Sequence, residues 1–233
     1  MEIEKQHTLV TEIAQHYAPW LDIRLSKQAM DHLWDAINGK KTDVRENLAG
    51  NISKSDLIQD KDNLFFENEL KAHAERLYYR NWDNYYNVHI MKCVPLPEFE
   101  LSQLWVNYQK QHEFNPPHNH SGLFSFVVFM KIPTHWEEQH ALPICVNSNI
   151  PSASNFAFLI GQKNETVVCK QFKLSSDDEG RMLIFPALLY HQVFPFYNCE
   201  EERITVSGNI FFKREEHKTN TFKENEKWQN TNY

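Results

Sequence analysis

Seven stretches between Val88 and Phe212 read as short strands, and no helical period separates them: 88–94, 99–109, 122–132, 155–161, 165–174, 182–186 and 203–212. They are rich in β-branched and aromatic residues, which suit a pleated, half-buried surface. Strands in such a series must pair with one another, so the pattern predicts a mainly β sandwich or jelly roll. The last stretch alternates strictly. Ile204, Val206 and Ile210 fall on one side, and Arg203, Thr205, Ser207 and Asn209 on the other. The run Leu123 to Phe129 is apolar almost throughout and reads as a buried strand.

Ahead of the strands the periodicity is helical. Ser26 can cap a helix that carries Met30, Leu33, Trp34 and Ile37 on one stripe, with Asn38-Gly39 as its stop. A second helix is predicted from about Asn63 to Tyr79, with Phe66, Leu70, His73, Ala74 and Leu77 on a shared face. There His73 reads as a core-edge histidine. Residues 1–25 suggest a short strand or turn around Val10 and Ile13, and 40–60 a polar loop. The expected organisation is one structural domain in three parts. Residues 1–87 form a helical segment packed on the sheet, 88–212 a jelly-roll core, and 213–233 a frayed polar tail. The stretch 133–154, with three prolines and no period, is the expected lid over a substrate.

Composition removes several classes. A formal charge of −7 argues against general nucleic-acid binding. With six glycines there is no phosphate-cradling loop, and the four cysteines show no zinc-ribbon spacing. The charged start lacks a signal-peptide core and no window is apolar enough to span a bilayer. A cytoplasmic protein with no membrane partner is the expectation, its oligomeric state left open.

The chemistry centres on Pro116-Pro117-His118-Asn119-His120-Ser121-Gly122. Side chains alternate across a strand, so His118 and His120 leave on one face and form half a site for a borderline transition metal. Histidine is abundant, 12 of 233 residues, so the pair alone is also compatible with chance. His191 follows a second buried strand and can return to the same place through the sheet. Twelve residues beyond it stands Arg203, with Thr205 and Ser207 on the same face. That face is either the solvated side of a strand or a carboxylate-binding rail, a guanidinium fork flanked by hydroxyl donors.

The order His118-x-His120, distal His191, then Arg203-x-Thr205-x-Ser207 resembles the iron(II)- and 2-oxoglutarate-dependent oxygenases, specifically a prolyl-hydroxylase-like family found in phages and bacteria. The surrounding residues Phe185, Pro186, Val193, Pro195, Glu202, Ile204 and Asn209 match its pattern too, and Asn107-Tyr108 resembles the Asn-Tyr preceding its metal motif. The resemblance implies a double-stranded β-helix with iron(II) on His118, His120 and His191. It also implies 2-oxoglutarate held by Arg203, Thr205 and Tyr108, with Ser207 and Asn107 beside it, and dioxygen as oxidant. The implied reaction hydroxylates a protein or small-molecule substrate and releases succinate and CO2. A phage-encoded copy would work in the host cytoplasm. One departure stands out: the family's usual metal carboxylate is replaced by His120. Two alternatives stay open, a zinc-dependent three-histidine hydratase or hydrolase and a non-catalytic jelly roll stabilised by metal.

Overall fold

A computed structural model describes residues 18–47, 49–83, 97–162 and 164–213. In chain order the elements are β1 (Leu21–Arg24), α1 (Lys27–Asn38), β2 (Thr42–Asp43), β3 (Lys54–Ile58), α2 (Lys71–Asp83), β4 (Phe99–Gln109), β5 (Asn115–His118), β6 (Phe124–Lys131), α3 (Trp136–His140), β7 (Phe156–Gly161), β8 (Val167–Phe172), β9 (Arg181–Pro186), β10 (Tyr190–Val193) and β11 (Arg203–Phe212). They build two antiparallel sheets. One has the order β1-β9-β6-β11-β4-β3-β2 and the other β5-β10-β7-β8. This is the jelly roll that the strand pattern predicts.

Two apolar cores result, one on each face of the larger sheet. On the outer face Leu104, Val106, Phe126, Val128, Met182, Ile184, Val206 and Ile210 pack against Leu33 and Ile37 of α1 and Leu70, Ala74 and Leu77 near and on α2. Between the sheets lie Val127, Phe129, Phe156, Phe158, Phe172, Leu183 and Phe185. Neighbouring residues of β6 and β9 therefore enter opposite cores. Burial on both faces explains the unbroken apolar run of β6. Gly208 has a local cause as well. A Cβ there would lie 2.6 Å from the Gln103 carbonyl and 2.8 Å from the Phe126 ring, so only glycine lets that ring lie on the strand.

The helices brace the larger sheet from outside, as expected. Ser26 caps α1, accepting from the Ala29 amide at 3.1 Å. The second helix begins with a π-helical turn, Phe66–Leu70, before continuing as α2. Asp60 holds its start by accepting from the Phe65 and Phe66 amides.

The segment 1–87 is more than the helical brace expected of it. It contributes β1, β2 and β3 to the larger sheet, with β3 pairing along β4 from Lys54–Tyr108 to Ile58–Leu104. Within 40–60, read as a loop, the strand Lys54–Ile58 is too short and polar to announce itself, and tertiary pairing creates it. The same holds for β5, an edge strand of Asn-Pro-Pro-His, where prolines are tolerated for want of a neighbour on one side. The predicted strand 88–94, the turn at Val10 and Ile13, and the tail beyond 213 lie outside the described residues. Among the described residues no helix is long and apolar enough to cross a membrane.

Candidate metal centre

Two strands and one turn bring the histidines together. β5 and β10 are antiparallel neighbours in the smaller sheet, and their register sets His118 directly opposite His191. His120 lies just past β5, its backbone amide donating to the Ala187 carbonyl at 2.9 Å. The ring centroids are 4.2 Å apart for His118 and His191, and 5.0 Å for each of the other pairs. One nitrogen from each of the three lies within 4.8 Å of those from the other two.

The backbone sets the tautomers of two rings. His118 Nδ1–H donates to the Pro116 carbonyl at 2.7 Å and His191 Nδ1–H to the Leu189 carbonyl at 3.1 Å. A carbonyl can only accept, so both rings keep a lone pair on Nε2, the state a metal requires. Trp105 meets the His120 ring edge-on at 5.8 Å. Three neutral imidazoles so disposed fit a divalent transition metal.

Burial keeps these rings neutral. It lowers His191 to about 3, with His118 and His120 adding to the effect. Burial and then the neighbouring His118 lower His120 to about 4. His118 is lowered by burial too, against an opposing pull from the Pro116 carbonyl. Below pH 6.5 the unfolded chain therefore takes up protons that the folded chain refuses. Metal-free protein should lose stability as pH falls from about 6.5 towards 4, and keep it above 6.5. Urea midpoints taken between pH 7 and 5, where few carboxylates titrate, should drop in the parent and drop less in His191→Asn. Midpoints flat across that range would contradict the burial of neutral rings.

The larger sheet supplies the facing wall of the same cavity. Register pairs Arg203 with Gln109, Thr205 with Asn107 and Ser207 with Trp105, and all six residues line the space in front of the histidines. Ser55 on β3 completes a row by donating to Asn107 Oδ1 at 2.8 Å. Arg203 is 1% exposed, yet every hydrogen-bond partner it has among the described residues is neutral. It donates to the Ser154 carbonyl at 2.8 Å, to the Ser154 hydroxyl and, at 3.4 Å, to Gln109 Oε1, and the Phe196 ring lies 5.2 Å away. Its Nε has no partner among the described residues. Desolvation pulls its pKa down to about 10, which still leaves it charged at neutral pH. No aspartate or glutamate lines this cavity among the described residues.

Most of the residues predicted for the site from sequence thus converge: His118, His120, His191, Arg203, Thr205, Ser207 and Asn107. Tyr108 does not. Adjacent strand residues point to opposite faces, so placing Asn107 in the cavity turns Tyr108 into the outer core, where its hydroxyl accepts from Lys41 Nζ at 2.9 Å. The same parity reveals two residues that the sequence reading missed. Trp105 and Gln109, two positions either side of Asn107, line the cavity, and counting by twos from Asn107 would have found them. The expected lid is also displaced. The stretch 133–154 folds into α3 and turns, and it touches the site through Ser154 alone. Arg45, Ala49, Gly50 and Ile52 border the cavity instead.

The jelly roll thus sets three imidazoles opposite a buried arginine in one cavity. Residues 103–209 match the sequence model of a family described as "Putative 2OG-Fe(II) oxygenase". No curated protein matches the sequence significantly. Among solved structures, the non-heme alpha ketoglutarate dependent epimerase SnoN from nogalamycin biosynthesis is similar at 12% identity and TM-score 0.50, over 88% of this chain and 84% of that one. Such a likeness shows the fold alone. The viral collagen prolyl hydroxylase of Paramecium Bursaria Chlorella virus-1 aligns at 13% identity and TM-score 0.45, over 83% and 96% of the two chains. A Pseudomonas putida prolyl-4-hydroxylase aligns at 12% and 0.46, over 87% and 96%.

Proposed function

We propose that the protein is an iron(II)- and 2-oxoglutarate-dependent dioxygenase acting on a protein side chain or a small molecule. The observation that carries this reading is Arg203: a buried cation whose partners among the described residues are all neutral, in the same cavity as three neutral histidines. An uncompensated buried charge is costly, so a site that keeps one is built for an anion from outside. His118, His120 and His191 hold the metal, and Arg203 binds the distal carboxylate of the oxoacid. The side chains of Thr205, Ser207 and Asn107 stand beside it as neutral hydrogen-bonding groups.

Bound iron(II) would activate dioxygen, the oxidant, with two electrons from the oxoacid and two from the substrate: one oxygen atom would enter succinate as CO2 leaves, and the other would turn a substrate C–H into C–OH. The chain's residues do the rest. The Pro116 and Leu189 carbonyls fix two imidazoles with Nε2 facing the metal. Gln109 is anchored by donating to the Glu113 and Phe194 carbonyls, and it turns its oxygen towards Arg203. Phe156, Phe158 and Phe185 pack around His191 and keep water from that side.

Anaerobic addition of iron(II) and 2-oxoglutarate should produce a visible metal-to-ligand charge-transfer band, and air should then yield slow succinate formation without substrate. Zinc retained through purification with no affinity for the oxoacid would favour the hydratase reading. Oxoacid binding without any succinate over hours would favour a binding module.

A further inference from the structure

Six non-glycine residues among those described have a positive φ, and five of them are exposed. The sixth, Ser154 at φ 68°, is completely buried. Glycine or asparagine would take up this backbone at less cost, and such strain persists only where the surroundings impose it. What serine adds over glycine is a hydroxyl.

That hydroxyl is spent on Arg203. Ser154 Oγ and the Ser154 carbonyl both accept from Arg203 Nη2, and Oγ also shares a hydrogen bond with the buried Thr134 Oγ1 at 2.8 Å. Gln109 Oε1 accepts from Nη1 at 3.4 Å. The guanidinium is thus gripped at its far end, while Nε has no partner among the described residues.

The two gripping residues are anchored on neighbouring carbonyls. The Ser154 amide donates to Pro195 at 2.8 Å, and Gln109 Nε2 donates to Phe194 at 3.3 Å. The Phe194 amide in turn donates to the Asn155 carbonyl at 2.9 Å. Phe194 and Pro195 directly follow β10, the strand that sets His191 opposite His118. The cationic end of the cavity and its metal end are therefore built on one short stretch of backbone, 191–195. A free arginine side chain samples many rotamers, whereas one held at Nη2 keeps a single reach. The distance from the histidines to the guanidinium is then set by the protein and not by the ligand.

We propose that Ser154 is the positioning residue that fixes the reach of Arg203 and thereby selects the chain length of the bound acid. It acts through the guanidinium. The identity of that acid, 2-oxoglutarate, rests on the dioxygenase reading; the placement of Arg203 does not.

The test compares 2-oxoglutarate, the one-carbon-longer 2-oxoadipate and oxalate by calorimetric titration of zinc-loaded full-length protein. Oxalate can chelate the metal but has no distal carboxylate to reach Arg203. The parent should prefer 2-oxoglutarate over 2-oxoadipate by at least about tenfold, since a misplaced charge-assisted hydrogen bond is worth that much. In Ser154→Ala, 2-oxoglutarate affinity should fall about tenfold and the preference should shrink below about threefold, with oxalate binding as in the parent. Ser154→Gly should behave alike and fold at least as well, because it removes the strain together with the hydroxyl. No length preference in the parent, a preference or 2-oxoglutarate affinity unchanged in the variants, or an equal loss of oxalate binding each overturns the proposal. Failure of both variants to fold makes Ser154 a structural residue and overturns it too. Should the parent bind no 2-oxoglutarate, the dioxygenase reading falls, and the Nε–H NMR signal of Arg203, identified by its loss in Arg203→Met, decides the placement. It should shift or broaden in Ser154→Ala; an unchanged signal overturns the proposal.

Discussion

Replacing Arg203 by methionine should abolish 2-oxoglutarate binding while leaving the metal-free protein as stable as the parent, or more so. These effects have opposite signs for one reason. Arg203 lies 1% exposed among neutral partners, so in the absence of ligand it is a desolvated charge that the fold must carry. Exchanging buried charges for apolar groups of similar volume is often neutral or stabilising by about 1–4 kcal/mol. With a carboxylate bound, the balance reverses. Removing one partner of a buried, hydrogen-bonded charge pair costs roughly 2–5 kcal/mol, or about 30- to several-thousand-fold in affinity. Calorimetric titration of metal-loaded protein measures the second effect and thermal unfolding of apo protein the first. Arg203→Lys should recover part of the affinity, since an ammonium keeps the charge without the planar fork. Unchanged oxoacid affinity in Arg203→Met would remove this residue from the site. Unchanged affinity combined with a large loss of stability would make it a structural arginine.

Replacing His191 by alanine should lower metal affinity more than tenfold, and His118→Ala and His120→Ala should do the same. Loss of a group that merely orients a ligand costs about 10–100-fold, so loss of the ligand itself should cost no less. His191 is the most informative of the three because it is buried, at 5% exposure, and is the cross-strand partner of His118. His120 tests the departure from the family's usual triad. Its ring stands 5.0 Å from each of the others, which is where a third ligand belongs. His120→Asp should keep the metal, because it restores a carboxylate of the usual type. Metal content by mass spectrometry and affinity by chelator competition are the readouts. Full affinity in His120→Ala would show a two-histidine site and send the search for a third ligand elsewhere.

The long strands were legible because their information is local. Phe99–Gln109 and Arg203–Phe212 occupy the positions that their patterns predict, and Ser26 caps α1 where the sequence places it. The short strands were not. Lys54–Ile58 and Tyr190–Val193 have little local preference and exist because longer neighbours pair with them. The error at Tyr108 has a different origin. A motif carried over by resemblance ignored a period-two rule that the sequence itself displays, and that rule favours Trp105, Asn107 and Gln109.

What the sequence determined by itself is therefore parity and chemistry. It decided that Arg203, Thr205 and Ser207 share a face, that Phe124 to Phe129 is buried, and that an imidazole, His120, stands where the resembled pattern has a carboxylate. The tertiary structure decided what those faces look at. Register between β5 and β10 sets His118 against His191 across 73 residues of sequence, an outcome no local pattern encodes. Likewise Ser154 closes on Arg203 from a stretch read as a lid, and Gly50 presses on Asn115 from a stretch read as a loop. Alternation along a strand follows from the geometry of the backbone alone. Convergence between strands depends on which of many registers buries the most apolar surface and satisfies the most hydrogen bonds, and only the assembled fold resolves that choice.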